Sequence, residues 1–178
     1  MPLTKAGPTK ALYAGSFDPV TRGHLDIIRK ALSTFDSVHV AVGTNVRKQR
    51  MFSVEESTDL IGRSMRDLWP EAETLMGQRL EVGEYARQSL VRYARAIGAT
   101  HIVRGLREAT NFHEEFNLHG LAERLDPTIP MVHFICDAQF LHVSSSTAKE
   151  LESVGEQIDW LVTPSVEAAF RAWREKQR

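Results

Sequence analysis

Cysteine is nearly missing from this chain of 178 residues: Cys136 stands alone, which excludes an internal disulfide and agrees with a reducing compartment. An excess of charge of either sign is also lacking. The chain has 22 Lys+Arg against 23 Asp+Glu, so a broad basic surface for nucleic acid is not indicated, although a local basic pocket stays open. No apolar run reaches membrane-spanning length, and the N-terminus lacks a signal-peptide core. The expectation is a cytoplasmic protein with neither a nucleic-acid nor a membrane partner. "MPLTKAGPTK" (1–10) is polar, holds two prolines and reads as a flexible tail.

What is present is an ordinary core composition, 42% hydrophobic, in a chain long enough to bury a core of its own. Residues 11–178 read as a single domain in which short β-rich runs alternate with helical patterns. "ALYAG" (11–15), "SVHVAVG" (37–43), "RLEV" (79–82), "THIVRG" (100–105) and "PMVHFIC" (130–136) are strand candidates. Between and after them, helices are expected at 21–33, 53–68, 86–97, 108–125, 145–154 and 164–176. Leu25, Ile28 and Leu32 share one face of the first. Ser53 and Glu56 open the second at capping-box spacing. Such alternation implies an α/β, doubly wound, Rossmann-like parallel sheet of five strands, with helices on both faces and extra C-terminal helices.

Ligands of such sheets bind beyond the carboxyl ends of the strands, and the residues there are chemically unusual. Gly15, Ser16, Phe17 and His24 follow the first strand. Arg47, Lys48 and Arg50 follow the second, Arg104 and Arg107 the fourth, and Ser144, Ser145 and Ser146 the fifth, where they open a helix. Glycine-backed amides, hydroxyls, cations and helix N-termini are the components of a polyphosphate site. His24, in a first helical turn, should have its protonated form disfavoured, and suits hydrogen bonding to developing charge better than proton abstraction. Taken singly, each feature has a plainer reading: a turn, a capping histidine, an N-cap serine cluster, surface ion pairs. Their common placement at one sheet edge favours the site.

"GSFDPVTRGH" (15–24) resembles the signature of the nucleotidyltransferase superfamily, with its T/H-x-G-H turn here as Thr21-Arg22-Gly23-His24. "RGLR" (104–107) and "VSSSTAKEL" (143–151), with "VGEQIDWLVTPSVEAAF" (154–170), narrow the resemblance to the phosphopantetheine adenylyltransferase family, over residues 11–172. The resemblance implies transfer of AMP from Mg-ATP to 4'-phosphopantetheine by direct in-line attack, giving dephospho-coenzyme A and pyrophosphate. It implies His24, Lys48 and Arg104 as catalytic. Ser16, Phe17, His24, Gly105, Leu106, Arg107, Glu115, Phe140, Leu141, His142, Val143, Ser144, Ser145 and Ser146 would bind ATP, and Ser16, Lys48, Leu90 and Arg104 the acceptor. Mg2+ would arrive with ATP, and no carboxylate cluster suggests a protein cage for it. Family members are commonly hexamers with coenzyme A as feedback inhibitor.

The chain departs from the family pattern mainly on the acceptor side. Ser57 stands for an arginine, Glu114 for an aromatic, Ala122 and Glu123 for an amide and a cation, and His142 for an aromatic. These departures motivate two alternatives. One is nucleotidyl transfer to another phosphorylated acceptor, such as nicotinamide mononucleotide or a polyol phosphate. The other is a nucleotide- or coenzyme A-binding regulator without turnover.

Overall fold

The computed structural model of the protein describes residues 7–43, 49–107 and 109–177. Five strands, β1 (Lys10–Gly15), β2 (Ser37–Gly43), β3 (Leu80–Tyr85), β4 (His101–Leu106) and β5 (Met131–Ile135), form one wholly parallel sheet in the order β3-β2-β1-β4-β5. The helices are α1 (Arg22–Thr34), α2 (Val54–Leu68), α3 (Ala72–Leu75), α4 (Leu90–Ala96), α5 (Ala109–Leu125), α6 (Ser145–Ser153) and α7 (Pro164–Gln177). This is the Rossmann-like α/β architecture expected from the alternation.

Strand periodicity divides the core into two layers. On one side Ala11, Tyr13, Val38, Val40, Val42 and Val103 pack against Leu25 and Ile28 of α1, Ile61 and Met65 of α2, and Phe170 of α7. On the other, Leu12, Ala14, Ala41 and Ile102 meet Val91 and Ala94 of α4 and Ala122 of α5. Helix ends are set locally. Thr21 caps α1, Ser53 caps α2 in a capping box with Glu56, Ser89 caps α4 and Ser144 caps α6.

Many boundaries differ from the sequence expectation by a single residue, and three departures have a visible structural reason. The first strand begins at Lys10, inside the segment read as tail, because the Thr9 N–H and hydroxyl both donate to the Asp36 carboxylate and Ser37 N–H donates to Thr9 O. β3 continues to Tyr85, since Gly83, Glu84 and Tyr85 remain in register with Ala41, Val42 and Gly43. The helix expected from residue 86 starts only at Leu90, after Arg87 in a left-handed conformation (φ 56°) and the Ser89 cap. α3, a single turn after Pro70, had no periodic signal to reveal it.

The strand order reverses direction between β1 and β4, the neighbours from which the chain moves outward to opposite edges. A crevice opens at the carboxyl ends of such a pair. α1 lies close over it because Gly105 of β4 has no side chain: a Cβ there would come within 2.9 Å of Ile27 Cγ1.

Candidate active site

A cavity of about 270 Å³ occupies that crevice. Its wall takes Gly15 and Ser16 from the end of β1, Thr21, Gly23 and His24 from the start of α1, Arg104 and Gly105 from β4, Arg107 and Glu115 from beyond it, and Val143 to Ser146 from the start of α6. Segments distant in sequence thus supply one polar surface to one void, and His24 and Ser145 face the same space.

His24 is held by its own helix start. It occupies the third position of α1, where the Thr21 backbone N–H donates to Nδ1 at 3.1 Å and the Thr21 hydroxyl lies 2.9 Å from the same nitrogen. In return the His24 N–H donates to Thr21 Oγ1 at 3.4 Å. A nitrogen that accepts carries no proton, so the neutral ring bears its hydrogen on Nε2. Burial first, then the charges of Arg107 and Arg104, lower the His24 pKa to about 4. The direction is the one expected, with desolvation and two cations as its causes. At neutral pH His24 is therefore a neutral hydrogen-bond donor and a poor base.

Phe17 supports this ring from below. It is fully buried, its ring 5.1 Å from that of His24 and 5.3 Å from that of Tyr13, edge-on to both. Its backbone is left-handed (φ 44°), which costs roughly 1–2 kcal/mol for a residue with a Cβ; burying the phenyl ring contributes about 2–3 kcal/mol and offsets it. Gly15 leaves space for the turn, since a Cβ there would stand 3.1 Å from the Phe17 ring.

Across the cavity, Arg104 and Glu115 form a bidentate pair: Nε donates to Oε2 at 2.7 Å and Nη2 to Oε1 at 2.5 Å. Nη1 donates to Ala14 O at 2.7 Å. The side chains are 23% and 12% exposed. Arg107 Nη1 donates to Val143 O at 3.2 Å, which ties β4 to the start of α6.

Asp18 joins three segments behind the cavity. Its buried carboxylate accepts from Met51 N–H and Phe52 N–H and pairs with Lys149 of α6 at 3.0 Å. Ser145 Oγ donates to Pro19 O at 2.7 Å. The serine-rich helix start is thereby fixed to the turn after β1.

Of the residues singled out from sequence, the cavity brings together Ser16, His24, Arg104, Gly105, Arg107, Glu115, Val143, Ser144, Ser145 and Ser146. Phe17 lies beneath this wall. Phe140, Leu141 and His142 form the turn before α6, outside the wall, and Leu106 faces a separate apolar cavity with Phe112 and Phe116. Leu90 packs with the α4 layer. Lys48 lies outside the described residues. The wall also holds residues that the motifs did not indicate as ligands, among them Tyr13, Thr21, Ile27 and Cys136. Tyr13 had a signal, as the inward residue of β1 two positions before Gly15; Cys136 had none, since burial decides its direction. Burial holds the Tyr13 phenol well above its ordinary pKa.

Comparison with known proteins agrees with this geometry. The cytidylyltransferase-like family model matches residues 12–151. A phosphopantetheine adenylyltransferase of Roseiflexus sp. (strain RS-1) is 42% identical over 166 residues, which cover 93% of this chain and 98% of the relative. The chain belongs to the phosphopantetheine adenylyltransferase family. A family member from Streptococcus uberis is 36% identical, over 94% of this chain and 95% of its own. Among solved structures, a Vibrio parahaemolyticus protein assigned as a nicotinate-nucleotide adenylyltransferase aligns with a TM-score of 0.62. It is 16% identical, over 92% of this chain and 99% of its own, so the likeness is one of fold.

Several departures from the family pattern lie away from the cavity. Ala122 is buried in the α4–α5 layer, and Glu123 is exposed on α5. Ser57 is fully buried and accepts a hydrogen bond from Arg50 Nη2 at 2.7 Å. A guanidinium from the loop thus meets α2 where the family pattern places one on the helix itself.

Proposed function

We propose that this chain transfers the adenylyl group of ATP to 4'-phosphopantetheine, giving dephospho-coenzyme A and pyrophosphate. The observation that carries the reading is the convergence of Ser16, His24, Arg104, Arg107 and the α6 start on one cavity at the β1–β4 switch point. Curated relatives that share this name over nearly their whole length support the choice of acceptor.

In the proposed reaction an oxygen of the acceptor phosphate forms a bond to the α-phosphorus. The bond from that phosphorus to the oxygen bridging to the β-phosphorus breaks, and its electron pair leaves with pyrophosphate. No protein nucleophile is required. The chain acts by alignment and by donors aimed at the charge that develops. His24 supplies a neutral N–H, Arg104 the acceptor-side cation, and Ser144–Ser146 hydroxyls and helix-terminal amides for the distal phosphates. Lys48 is assigned to both phosphate groups by family resemblance.

Mg2+ is assigned as the counter-ion of ATP. Among the described residues no group of three or more His, Cys, Asp or Glu side chains could hold a metal ion, and the proposed ion is one carried by the nucleotide's phosphates. A cytoplasmic site of action is assigned from the substrates, ATP and a phosphorylated acceptor, and agrees with the single cysteine. No helix among the described residues is long and apolar enough to cross a membrane. A homo-oligomer, hexameric by family resemblance, is supported by apolar side chains exposed along α5 and β5: Phe112, Phe116, Leu121, Leu125 and Ile135. Coenzyme A is proposed as an inhibitor competing for the acceptor side.

The deciding measurement is pyrophosphate release from ATP with and without 4'-phosphopantetheine. Release that depends on this acceptor is expected; silence with it, and release with nicotinamide mononucleotide or a polyol phosphate instead, would reassign the acceptor. Tight ATP binding without turnover on any acceptor would mark a regulator.

A further inference from the structure

A second, smaller cavity of about 150 Å³ adjoins the first. The two share Ser16, Ser145 and Ser146 as a common wall, and the smaller one adds Arg50, Lys149 and Asp18. A ligand threaded past Ser16 and the α6 start would enter it.

The cations around these two cavities are not equivalent. Arg104 is met by the Glu115 carboxylate and Lys149 by that of Asp18. Among the described residues Arg50 has four hydrogen-bond acceptors, all neutral: Nε donates to Phe52 O at 3.0 Å, Nη1 to Gly43 O at 3.3 Å, and Nη2 to Ser16 O at 2.9 Å and Ser57 Oγ at 2.7 Å. A guanidinium has five N–H donors, so one, on Nη1, is left over after these bonds. Among the described residues no carboxylate pairs with Arg50. Its position is nevertheless rigid, because its partners come from the turn after β1, the end of β2, the 50–53 loop and α2.

We infer that Arg50 is a further anion-binding residue of this site, a braced and uncompensated cation that receives the pyrophosphate end of the nucleotide. The inference rests on the reaction proposed above, in which negative charge accumulates on departing pyrophosphate. A cation already fixed in place stabilises that charge with no reorganisation of its own, and it does so more strongly than one shared with a carboxylate. Neutral acceptors are what make this possible: they orient the guanidinium without cancelling its field. Ser57 contributes by supplying a hydroxyl where a second cation would compete for the same space.

The test is calorimetric titration of the full chain with inorganic pyrophosphate, comparing the wild type with Arg50→Gln and Arg50→Lys, and with adenosine as a ligand that carries no phosphate. Arg50→Gln should weaken pyrophosphate binding by roughly ten- to a hundredfold, the range for a hydrogen bond to a charged group, with adenosine affinity changed less than about threefold on the same reasoning. Arg50→Lys keeps the charge while giving up most of the bracing bonds, and should lose less than Arg50→Gln. The inference is overturned if Arg50→Gln binds pyrophosphate as the wild type does, if adenosine and pyrophosphate weaken equally, or if the lysine variant loses as much as the glutamine one. Should Arg50→Gln not fold, the lysine variant decides: near-wild-type pyrophosphate affinity supports the inference, and a hundredfold loss sinks it. These titrations need neither an acceptor nor turnover, so an error in the assigned acceptor leaves their outcome intact.

Discussion

The two walls of the main cavity fix their functional groups by opposite means. On the α1 wall, His24 is held by neutral contacts: the Thr21 cap on Nδ1 and the Phe17 ring beneath it. On the β4 wall, Arg104 is held by a carboxylate, Glu115, and by one backbone carbonyl. Capping sets a group's tautomer while burial keeps it neutral, whereas ion pairing keeps a group charged and gives up part of its field to its partner. The first arrangement suits a donor needed only as charge develops; the second suits a cation that must survive partial burial.

The sharpest way to test the contrast is His24→Ala. Loss of one donor aimed at developing charge should cut kcat by about 10²–10³-fold, while ATP affinity, measured by equilibrium binding, stays nearly unchanged. Equal losses in both would show that His24 acts in ground-state binding.

On the other wall, Glu115→Gln leaves Arg104 largely buried without its counter-charge. A stability loss of about 3 kcal/mol is expected in urea unfolding, little affected by salt. A loss near zero would mean that solvent already reaches the pair.

The neutral wall should show itself in pH dependence. The folded-state pKa of His24, about 4, lies below its ordinary value near 6.5. Above pH 6.5 the ring is neutral folded or unfolded and contributes no pH dependence. As pH falls from 6.5 to about 4, the unfolded chain takes up a proton that the fold refuses, so stability declines across that window, by up to about 3 kcal/mol. Unfolding of the wild type and of His24→Gln at pH 7 and pH 4 isolates this contribution, and an NMR titration of the imidazole gives the midpoint directly. A midpoint near 6.5 would contradict the neutral donor.

The smallest effect is expected from Thr21→Val, which removes the cap hydroxyl but keeps the backbone N–H on Nδ1. Helix-cap loss should cost about 1 kcal/mol, and turnover should fall less than tenfold because the tautomer survives.

Much of this arrangement was legible in the chain. Strand-helix alternation indicated the order of elements because hydrophobic period and cap chemistry are local properties. Ser53 and Glu56 close a capping box in the structure as their spacing indicated. The same holds for Ser144 as a helix start, and for the gathering of Ser16, His24, Arg104, Arg107 and the serines, since all lie at or just past the carboxyl ends of strands in a parallel sheet, Arg104 within β4 itself. What could not be read was which neighbour each side chain takes. Phe17 sits beside the signature serine yet turns inward beneath His24, and Glu115 meets Arg104 from eleven residues away in sequence.

By itself, then, the sequence determined the elements, their succession, the helix caps and the sheet edge at which polar residues collect, because each depends on residues within a few positions of one another. The neighbours that set the charge of each group were decided only by tertiary structure. His24 became a neutral donor through burial and two distant arginines, Arg104 shared its charge with a carboxylate from α5, and Arg50 kept its own because folding surrounded it with neutral oxygens from four separate segments. Electrostatic energy depends on through-space distance and on exclusion of water, and neither exists until the chain has closed on itself.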